Sequence, residues 1–210
     1  MVTNIDSHLM KDYSRNFINN IEKKLYLSIQ EKTNSVSFNL EKVLNAFSNA
    51  HLNVQHFSSL TGYGHGDLGR DTIDKIFAEV LDAEKAAVRV QFVSGTHAIS
   101  SSLFGMLRPG DNFLSITGKP YESLEEVIGL RGNGQGSLVE FGIFYDEIAL
   151  KSNGNVDFIA LEKALKIPRK LIFIQRSCGY TWRPSLSIEI IKEICYLCHS
   201  IQPDCICFVD

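Results

Sequence analysis

Residues 171–210, LIFIQRSCGYTWRPSLSIEIIKEICYLCHSIQPDCICFVD, contain the pattern that decides the fold class. The apolar runs Leu171–Gln175 and Cys205–Asp210 predict strands, and the longer segment between them, about Ile188–His199, has the apolar spacing of a helix. Two strands joined through a helix are typical of a βαβ unit, in which the strands run parallel. This stretch therefore predicts a parallel α/β sheet.

The same alternation extends toward the N-terminus as far as residue 86. Three further strands are predicted at Ala86–Gln91, Phe113–Thr117 and Ile143–Leu150. The helices between them are predicted at about Thr96–Leu107, Tyr121–Leu130 and Phe158–Leu165. The fold class is α/β, with a mostly parallel sheet and helices on both faces. Ligands of such sheets bind beyond the carboxyl ends of the strands, so the loops after Gln91, Thr117 and Gln175, and Asp210 itself, are where we expect chemistry.

The N-terminal segment has a different pattern. Residues 11–49 carry apolar side chains at helical spacing, with an interruption at Asn34 and Ser35. We therefore expect a helical N-terminal arm over residues 1–50, followed by one larger domain over residues 51–210.

The composition excludes several classes of protein. The chain has 210 residues, of which 44% are hydrophobic and 21% charged, with a net charge of -3. These values are typical of a globular protein and provide no basic surface for nucleic acid. No apolar run approaches the roughly 20 residues that a membrane span requires, and the N-terminus is polar, so we expect a cytoplasmic protein without a membrane segment. The cysteines are odd in number and lie between Cys178 and Cys207, which favours reduced thiols over a disulfide framework.

A first candidate binding segment is Ser94-Gly95-Thr96, which follows a predicted strand and opens a predicted helix. Glycine lets an anion approach the backbone, and the free N–H groups and positive dipole end of a helix favour a phosphate there. The alternative is an ordinary helix cap made by a serine. Local features do not separate the two.

Two further candidates follow other strands. Tyr121 begins a predicted helix after Pro120, and it could stack on a planar ring or be a half-buried aromatic residue at a helix start. Asp210 ends an apolar strand, where its carboxylate could bind a protonated pyridine nitrogen or act only as a polar strand end. Both alternatives stay open for each residue.

Two other patterns carry less weight. Gly64–Gly69 matches the G-x-G-x-x-G form of dinucleotide sites, but no buried strand precedes it. Cys195, Cys198, Cys205 and Cys207 resemble a zinc-ligand set. They follow the apolar periodicity of a helix and a strand, however, so we interpret them as core residues and expect no metal site.

Several segments, in this order, resemble one family: the pyridoxal-phosphate (PLP) proteins of aluminium-resistance or methionine gamma-lyase-like type, relatives of cystathionine beta-lyase. The matching segments are TGYGHGDLGRD (61–71), QFVSGTHA (91–98), LRPGD (107–111), SITGKPY (115–121), GSLVEFG (136–142), IQRS (174–177), GYTWRPSL (179–186) and CFVD (207–210). Two positions depart from the commoner pattern, His65-Gly66 and Cys178, and both concern the substrate side. The resemblance implies a PLP-dependent transferase fold of type I, like that of aspartate aminotransferase.

The resemblance also implies roles for single residues. The phosphate of PLP would be bound by Ser94, Gly95 and Thr96, while Tyr121 would stack on the ring and Asp210 would pair with its nitrogen. Arg176 or Ser177 would lie near the phenolic oxygen of the ring.

A neighbouring subunit is implied as well. Tyr63 and Arg70 look similar to a pair that reaches the cofactor phosphate from the neighbouring subunit in related lyases, which implies a homodimer or homotetramer.

The same resemblance implies an activity. Family members remove the Cα proton of a sulfur amino acid such as cystathionine or methionine and eliminate the sulfur group. Their Schiff-base lysine lies downstream of the strand that ends in this aspartate, so it is expected beyond Asp210. Lys119, Lys151 and Lys170 lie at positions that the family does not use, and no catalytic residue is assigned within the chain. The alternative is a non-catalytic α/β module that folds or oligomerises by itself.

Overall fold

The N-terminal segment forms one long helix. In this computed structural model, which describes residues 7–58 and 66–210, helix α1 extends over Ser7–Asn49. The predicted interruption at Asn34 and Ser35 is wrong. The hydroxyl of Ser35 donates to the carbonyl of Glu31, one turn earlier, at 3.3 Å, so this polar side chain is accommodated within the helix. A short 3₁₀ helix, Val54–Phe57, follows.

Helix α2, Leu68–Val80, is not among the predicted elements. It begins where the carboxylate of Asp67 accepts a hydrogen bond from the N–H of Arg70 at 2.9 Å. The apolar residues Ile73, Ile76 and Phe77 are spaced three and four positions apart, and this spacing together with an aspartate cap is the signal that identifies the helix.

The segment after α2 corrects one prediction. Residues 86–91 form no strand, although a strand was predicted at Ala86–Gln91. The carboxylate of Asp74 in α2 accepts the N–H of Val88 at 2.7 Å, and it binds the guanidinium of Arg89 at 2.6 and 2.7 Å. A helix side chain thus supplies hydrogen bonds that a β-ladder would otherwise provide.

The chain divides into two compact units, Met1–Val90 and Gln91–Asp210. In the first unit the end of α1 packs against α2, where Asn49 donates to the carboxylate of Glu79 at 2.7 Å. The helical arm was expected to end at residue 50. This position lies inside the first unit, which continues to Val90.

The second unit is built on a parallel sheet, as predicted, and four of the five predicted strands form it. The strands are β1 (Asn112–Ser115), β2 (Phe144–Glu147), β3 (Leu171–Ile174) and β4 (Ile206–Val209). Their spatial order is β2-β1-β3-β4, and all three pairings between neighbours are parallel. Their carboxyl ends therefore lie at one edge of the sheet.

Helices cover both faces of this sheet, which also confirms the prediction. They are α3 (Gly95–Met106), α4 (Glu122–Ile128), α5 (Phe158–Ala164) and α6 (Ile188–Ile201). Alternate strand residues point to opposite faces. In β3, Leu171 and Phe173 pack with α3 and α4, while Ile172 and Ile174 pack with α5 and α6. Both sides of the strand are buried, which explains its uninterrupted apolar sequence.

Within residues 7–58 and 66–210, no helix combines the length and the apolar character that crossing a bilayer would require.

Candidate functional site

The carboxyl edge of the sheet brings together residues that are far apart in sequence. Asp210 directly follows β4 and extends its pairing with β3, because its N–H donates to the carbonyl of Ile174 at 3.0 Å. Its own carbonyl accepts the N–H of Arg176 at 2.7 Å. The backbone of Asp210 is therefore fixed, and its side chain starts from a defined place at the end of the sheet.

The side chain of Asp210 meets Tyr121. The hydroxyl of Tyr121 donates to Oδ2 of Asp210 at 2.6 Å, and both residues are half-buried. Tyr121 is the residue before α4 and has an extended backbone. Burial, and then the hydrogen bond to the Asp210 carboxylate, raise the pKa of the Tyr121 phenol above its usual value. The phenol therefore stays protonated and remains a hydrogen-bond donor to the carboxylate.

The start of α3 forms a second part of this edge. Ser94 caps the helix, because its hydroxyl accepts the N–H of His97 at 3.1 Å. The N–H groups of Gly95 and Thr96 belong to the first turn, which has no intrahelical acceptors for them. The Gly95 backbone is exposed, and a Cβ built on it would have no atom within 4 Å. An anion could therefore approach this turn closely.

A side-chain contact joins the two parts. The hydroxyl of Thr96 lies 2.9 Å from the hydroxyl of Ser123 in the first turn of α4. Tyr121 is two residues before Ser123, so the α3 start, the Tyr121 ring and the Asp210 carboxylate are connected through α4. Ser123 carries no signal in the sequence, since nothing in a lone serine indicates a partner 27 residues away.

A cavity of about 1070 Å³ opens beside Tyr121. Its lining includes Thr117 after β1, Gln175 after β3 and the loop residues Cys178 and Arg183. Arg183 was not singled out from the sequence. Its guanidinium donates to the carbonyls of Gln175 at 3.2 Å and Ser177 at 2.5 Å, which holds the loop after β3 against the strand end.

Arg176 and Ser177 lie at the same edge, in the loop that follows β3. The backbone of Arg176 is hydrogen-bonded on both sides, since its carbonyl accepts the N–H of Leu186 at 3.1 Å. Both residues are exposed. Neither lines the cavity beside Tyr121.

Of the two residues expected to act across a subunit boundary, the structure describes Arg70, which belongs to the first unit. Arg70 lies in the first turn of α2, where its Nε is 3.5 Å from the carboxylate of Asp67. Tyr63 lies outside the described residues.

The three lysines considered in the sequence analysis occupy different places. Lys119 lines the cavity, and its Nζ is 3.1 Å from the carboxylate of Glu125. Lys151 is 3.9 Å from the carboxylate of Asp157. Lys170 directly precedes β3 and so lies at the amino edge of the sheet, away from Tyr121 and Asp210.

The chemistry of these groups fits a ligand that combines a phosphate with a cationic aromatic ring. The first turn of α3 offers unpaired N–H groups beside hydroxyls, as phosphate sites at helix starts do. Tyr121 offers an aromatic face, and Asp210 offers a carboxylate whose other oxygen could accept an N–H. Within the described residues, no group of three or more His, Cys, Asp or Glu side chains is arranged to hold a metal ion.

Comparison with known proteins identifies close relatives. The family model described as methionine gamma-lyase matches residues 14–210. A candidate cystathionine beta-lyase involved in aluminium resistance from Listeria innocua is 47% identical and has a TM-score of 0.88, covering 93% of this chain and 48% of its own. A carbon-sulfur lyase involved in aluminium resistance from Clostridium novyi NT is 40% identical with a TM-score of 0.89, covering 100% of this chain and 51% of its own.

A curated relative is the uncharacterized protein YnbB of Bacillus subtilis (strain 168). It is 46% identical over 170 residues, which are 80% of this chain and 40% of YnbB. The chain therefore spans about half the length, or less, of these three relatives.

Proposed function

Because the chain belongs to the methionine gamma-lyase family, we propose that it contributes the cofactor-binding edge of a PLP-dependent carbon-sulfur lyase of fold type I. The observation that carries the proposal is the hydrogen bond between Tyr121 and Asp210, residues 89 positions apart that meet beside a cavity at the carboxyl edge of the sheet. The solved relatives that are described as lyases support the class of reaction.

In this proposal the first turn of α3 binds the cofactor phosphate. The N–H groups of Gly95 and Thr96 donate to phosphate oxygens, and the hydroxyl of Ser94 lies beside them. The absence of a side chain at Gly95 keeps the backbone accessible, and the positive end of the 12-residue helix favours the negative charge. The Thr96–Ser123 contact holds this turn beside α4.

Tyr121 and Asp210 bind the ring. The aromatic face of Tyr121 stacks on the pyridine, and the carboxylate of Asp210 accepts its N–H, a charge-assisted pair that keeps the ring cationic. The Tyr121 hydroxyl fixes Oδ2 of Asp210, so the second oxygen is free to accept from the ring. When bound, PLP supplies an electron sink for a carbanion at the substrate Cα.

The remaining roles complete this arrangement. Arg176 or Ser177 is proposed to lie near the phenolic oxygen of the ring, since both follow β3 at the same edge. Tyr63 and Arg70 are proposed to reach the phosphate of a neighbouring subunit, which requires a homodimer or a larger assembly. The substrate class is a sulfur amino acid of the cystathionine or methionine type, and the lysine that binds the cofactor covalently is placed beyond Asp210.

The first test is phosphate recognition by Gly95. We expect the 210-residue chain to bind PLP and inorganic phosphate reversibly, and Gly95→Ala to weaken both by about tenfold, ~1.4 kcal/mol. The reason is that a methyl group would occupy the approach to the first turn, although it meets no protein atom within 4 Å and so leaves the fold intact. Binding is measured by equilibrium titration of the PLP absorbance and by calorimetry with phosphate.

The matched control is Gly105→Ala in the same helix, where an added Cβ also meets nothing within 4 Å. This variant should bind both ligands like the wild-type chain. A wild-type chain that binds neither ligand, or equal affinities for the two variants, contradicts the proposal.

Borohydride reduction after PLP addition should leave no stoichiometric pyridoxyl-lysine. Such a product at Lys119, Lys151 or Lys170, with turnover of cystathionine or methionine, would show that the lysine placement is wrong.

A further inference from the structure

A cluster of thiols lies between α6 and β4. Cys198 is fully buried, while Cys195 and Cys207 are half-buried and pack against the same apolar core. The sulfur of Cys207 lies 3.8 Å from Nε2 of His199, and Cys195, Cys198 and Cys207 pack in one core cluster. The packing confirms that these cysteines are core residues, and their mutual contacts give them a chemistry that packing alone does not require.

The contacts single out Cys207 as the first thiol to ionise. Hydrogen bonding from Cys198 is the largest influence on Cys207, and it lowers the pKa of this thiol against the opposing effect of burial. The contact with Cys195 and the charge of His199 lower the pKa further. Hydrogen bonding to Cys207, followed by burial, raises the pKa of Cys198. Of the three thiols, Cys207 is therefore the one that loses its proton first.

The cluster is separate from the proposed cofactor site. Cys207 packs with α5 and α6 on one face of the sheet, whereas Tyr121 packs with α3 and α4 on the other. The carbonyl of Cys205 lies 3.1 Å from Nε2 of His199 and fixes the imidazole beside the cluster. Nothing in the proposed lyase reaction uses these groups.

We propose that Cys207 and Cys198 form a thiol–disulfide exchange site for small-molecule disulfides. The thiolate of Cys207 attacks one sulfur of the disulfide, forming a mixed disulfide and releasing one small thiolate. The sulfur of Cys198 then attacks Cys207, forms the Cys198–Cys207 disulfide and releases the second small thiol, which takes up the Cys198 proton. Two protein thiols are oxidised, and one small disulfide is reduced to two thiols.

The roles of the two cysteines follow from their surroundings. Cys207 is half-buried and its thiol has a lowered pKa, so it reacts first. Cys198 has no exposed surface and cannot meet an external disulfide, but it packs in the same core cluster as Cys207 and lowers the pKa of the Cys207 thiol. The product disulfide would link α6 to β4 through the core.

The test uses the 210-residue chain with glutathione disulfide at pH 7, followed by peptide mass mapping without reduction. We expect a Cys198–Cys207 disulfide as the main product. Cys198→Ala should stop the reaction at a stable mixed disulfide on Cys207, and Cys207→Ala should abolish oxidation of Cys198. Cys178→Ala, which changes a thiol in the loop after β3, should behave like the wild-type chain.

A second measurement needs no variant. Iodoacetamide should alkylate Cys207 of the folded chain about tenfold faster than Cys178 at pH 7, because the thiolate is the reactive form. Equal alkylation rates, a product that joins Cys195 instead of Cys198, or glutathione attached only to Cys178 would each overturn the proposal.

Discussion

At the scale of single residues, Arg169 shows how a buried charge is accommodated in this fold. Its side chain is 4% exposed, and its Nη1 donates to the carboxylate of Asp146 in β2. The same nitrogen donates to the amide oxygen of Asn112 at 2.5 Å, and its backbone N–H donates to Gln202 at 2.8 Å. The guanidinium of Arg169 therefore joins the first residue of β1 to Asp146 of β2.

We expect Asp146→Asn to lower the free energy of unfolding by about 1–3 kcal/mol, because it removes the charged partner of a buried cation. The bond from Arg169 lowers the pKa of the Asp146 carboxyl below its unfolded value. Its stabilisation is therefore present at neutral pH and is lost as the pH falls through the folded pKa, so wild type and variant should converge in acid. Urea unfolding at several pH values measures the difference in unfolding free energy between wild type and Asp146→Asn. The variant Asp204→Asn, which changes an exposed carboxylate, is the control. A constant difference between wild type and Asp146→Asn across the pH range would contradict it.

At the scale of elements, the short helix α4 positions much of the candidate site, because Tyr121 precedes it and Ser123 lies in its first turn. The helix ends at Gly129, which has a φ of +102°. A Cβ at this position would lie 2.5 Å from the hydroxyl oxygen of Ser137 and 3.2 Å from Val139. Both the backbone conformation and the available space therefore require glycine there.

We expect Gly129→Ala to destabilise the second unit by about 2–4 kcal/mol, since left-handed strain and overpacking act together. Gly132→Ala is the matched control: its φ is +78°, but its Cβ would have no atom within 4 Å, so only the backbone cost of about 1 kcal/mol applies. Thermal unfolding followed by circular dichroism compares the two. Equal losses of stability would show that the contact with Ser137 is unimportant.

Element prediction succeeded where burial and local pattern agree, and it was wrong where a single distant contact decided the outcome. β1 and β3 were predicted because both of their faces are buried in apolar layers, whereas most residues of β2 are exposed. Residues 86–91 have a similar composition, but Asp74 of α2 binds the N–H of Val88 and the guanidinium of Arg89. Helix α2 was missed although Asp67 provides an ordinary helix cap.

At the scale of the whole molecule, helix α1 indicates a further interface. Every side chain from residue 11 to residue 42 is exposed, including the large apolar residues Phe17, Ile18, Ile21 and Leu25. An isolated helix gains stability mainly by burying such a face, and exposed apolar patches of this kind mark interaction surfaces. This agrees with the proposal of a homodimer or homotetramer.

We therefore expect the chain to self-associate through α1. Light scattering after size-exclusion chromatography, repeated over a range of concentrations, should give a mass above that of one chain. Replacing Ile21 and Leu25 with lysine should shift the protein toward the monomer, because charge at the centre of the apolar face opposes its burial. Lys23→Gln is the control on the same helix. A monomeric wild-type chain, or an unchanged mass in the double variant, would contradict the proposal.

The sequence by itself determined the parallel α/β fold and the place of its candidate site. Strand and helix patterns depend on neighbouring residues, and parallel strands bring their carboxyl ends to one edge, so Tyr121 and Asp210 could be assigned to that edge from the sequence. Ser94–Thr96 was assigned to it through a strand at Ala86–Gln91 that does not form, so the tertiary structure decided its place beside α4. Only the tertiary structure decided which groups touch. The Tyr121–Asp210 bond, the Thr96–Ser123 contact and the thiol cluster around Cys207 each depend on how helices pack against the sheet. Such packing is fixed by the shape of the whole core, which no local pattern encodes.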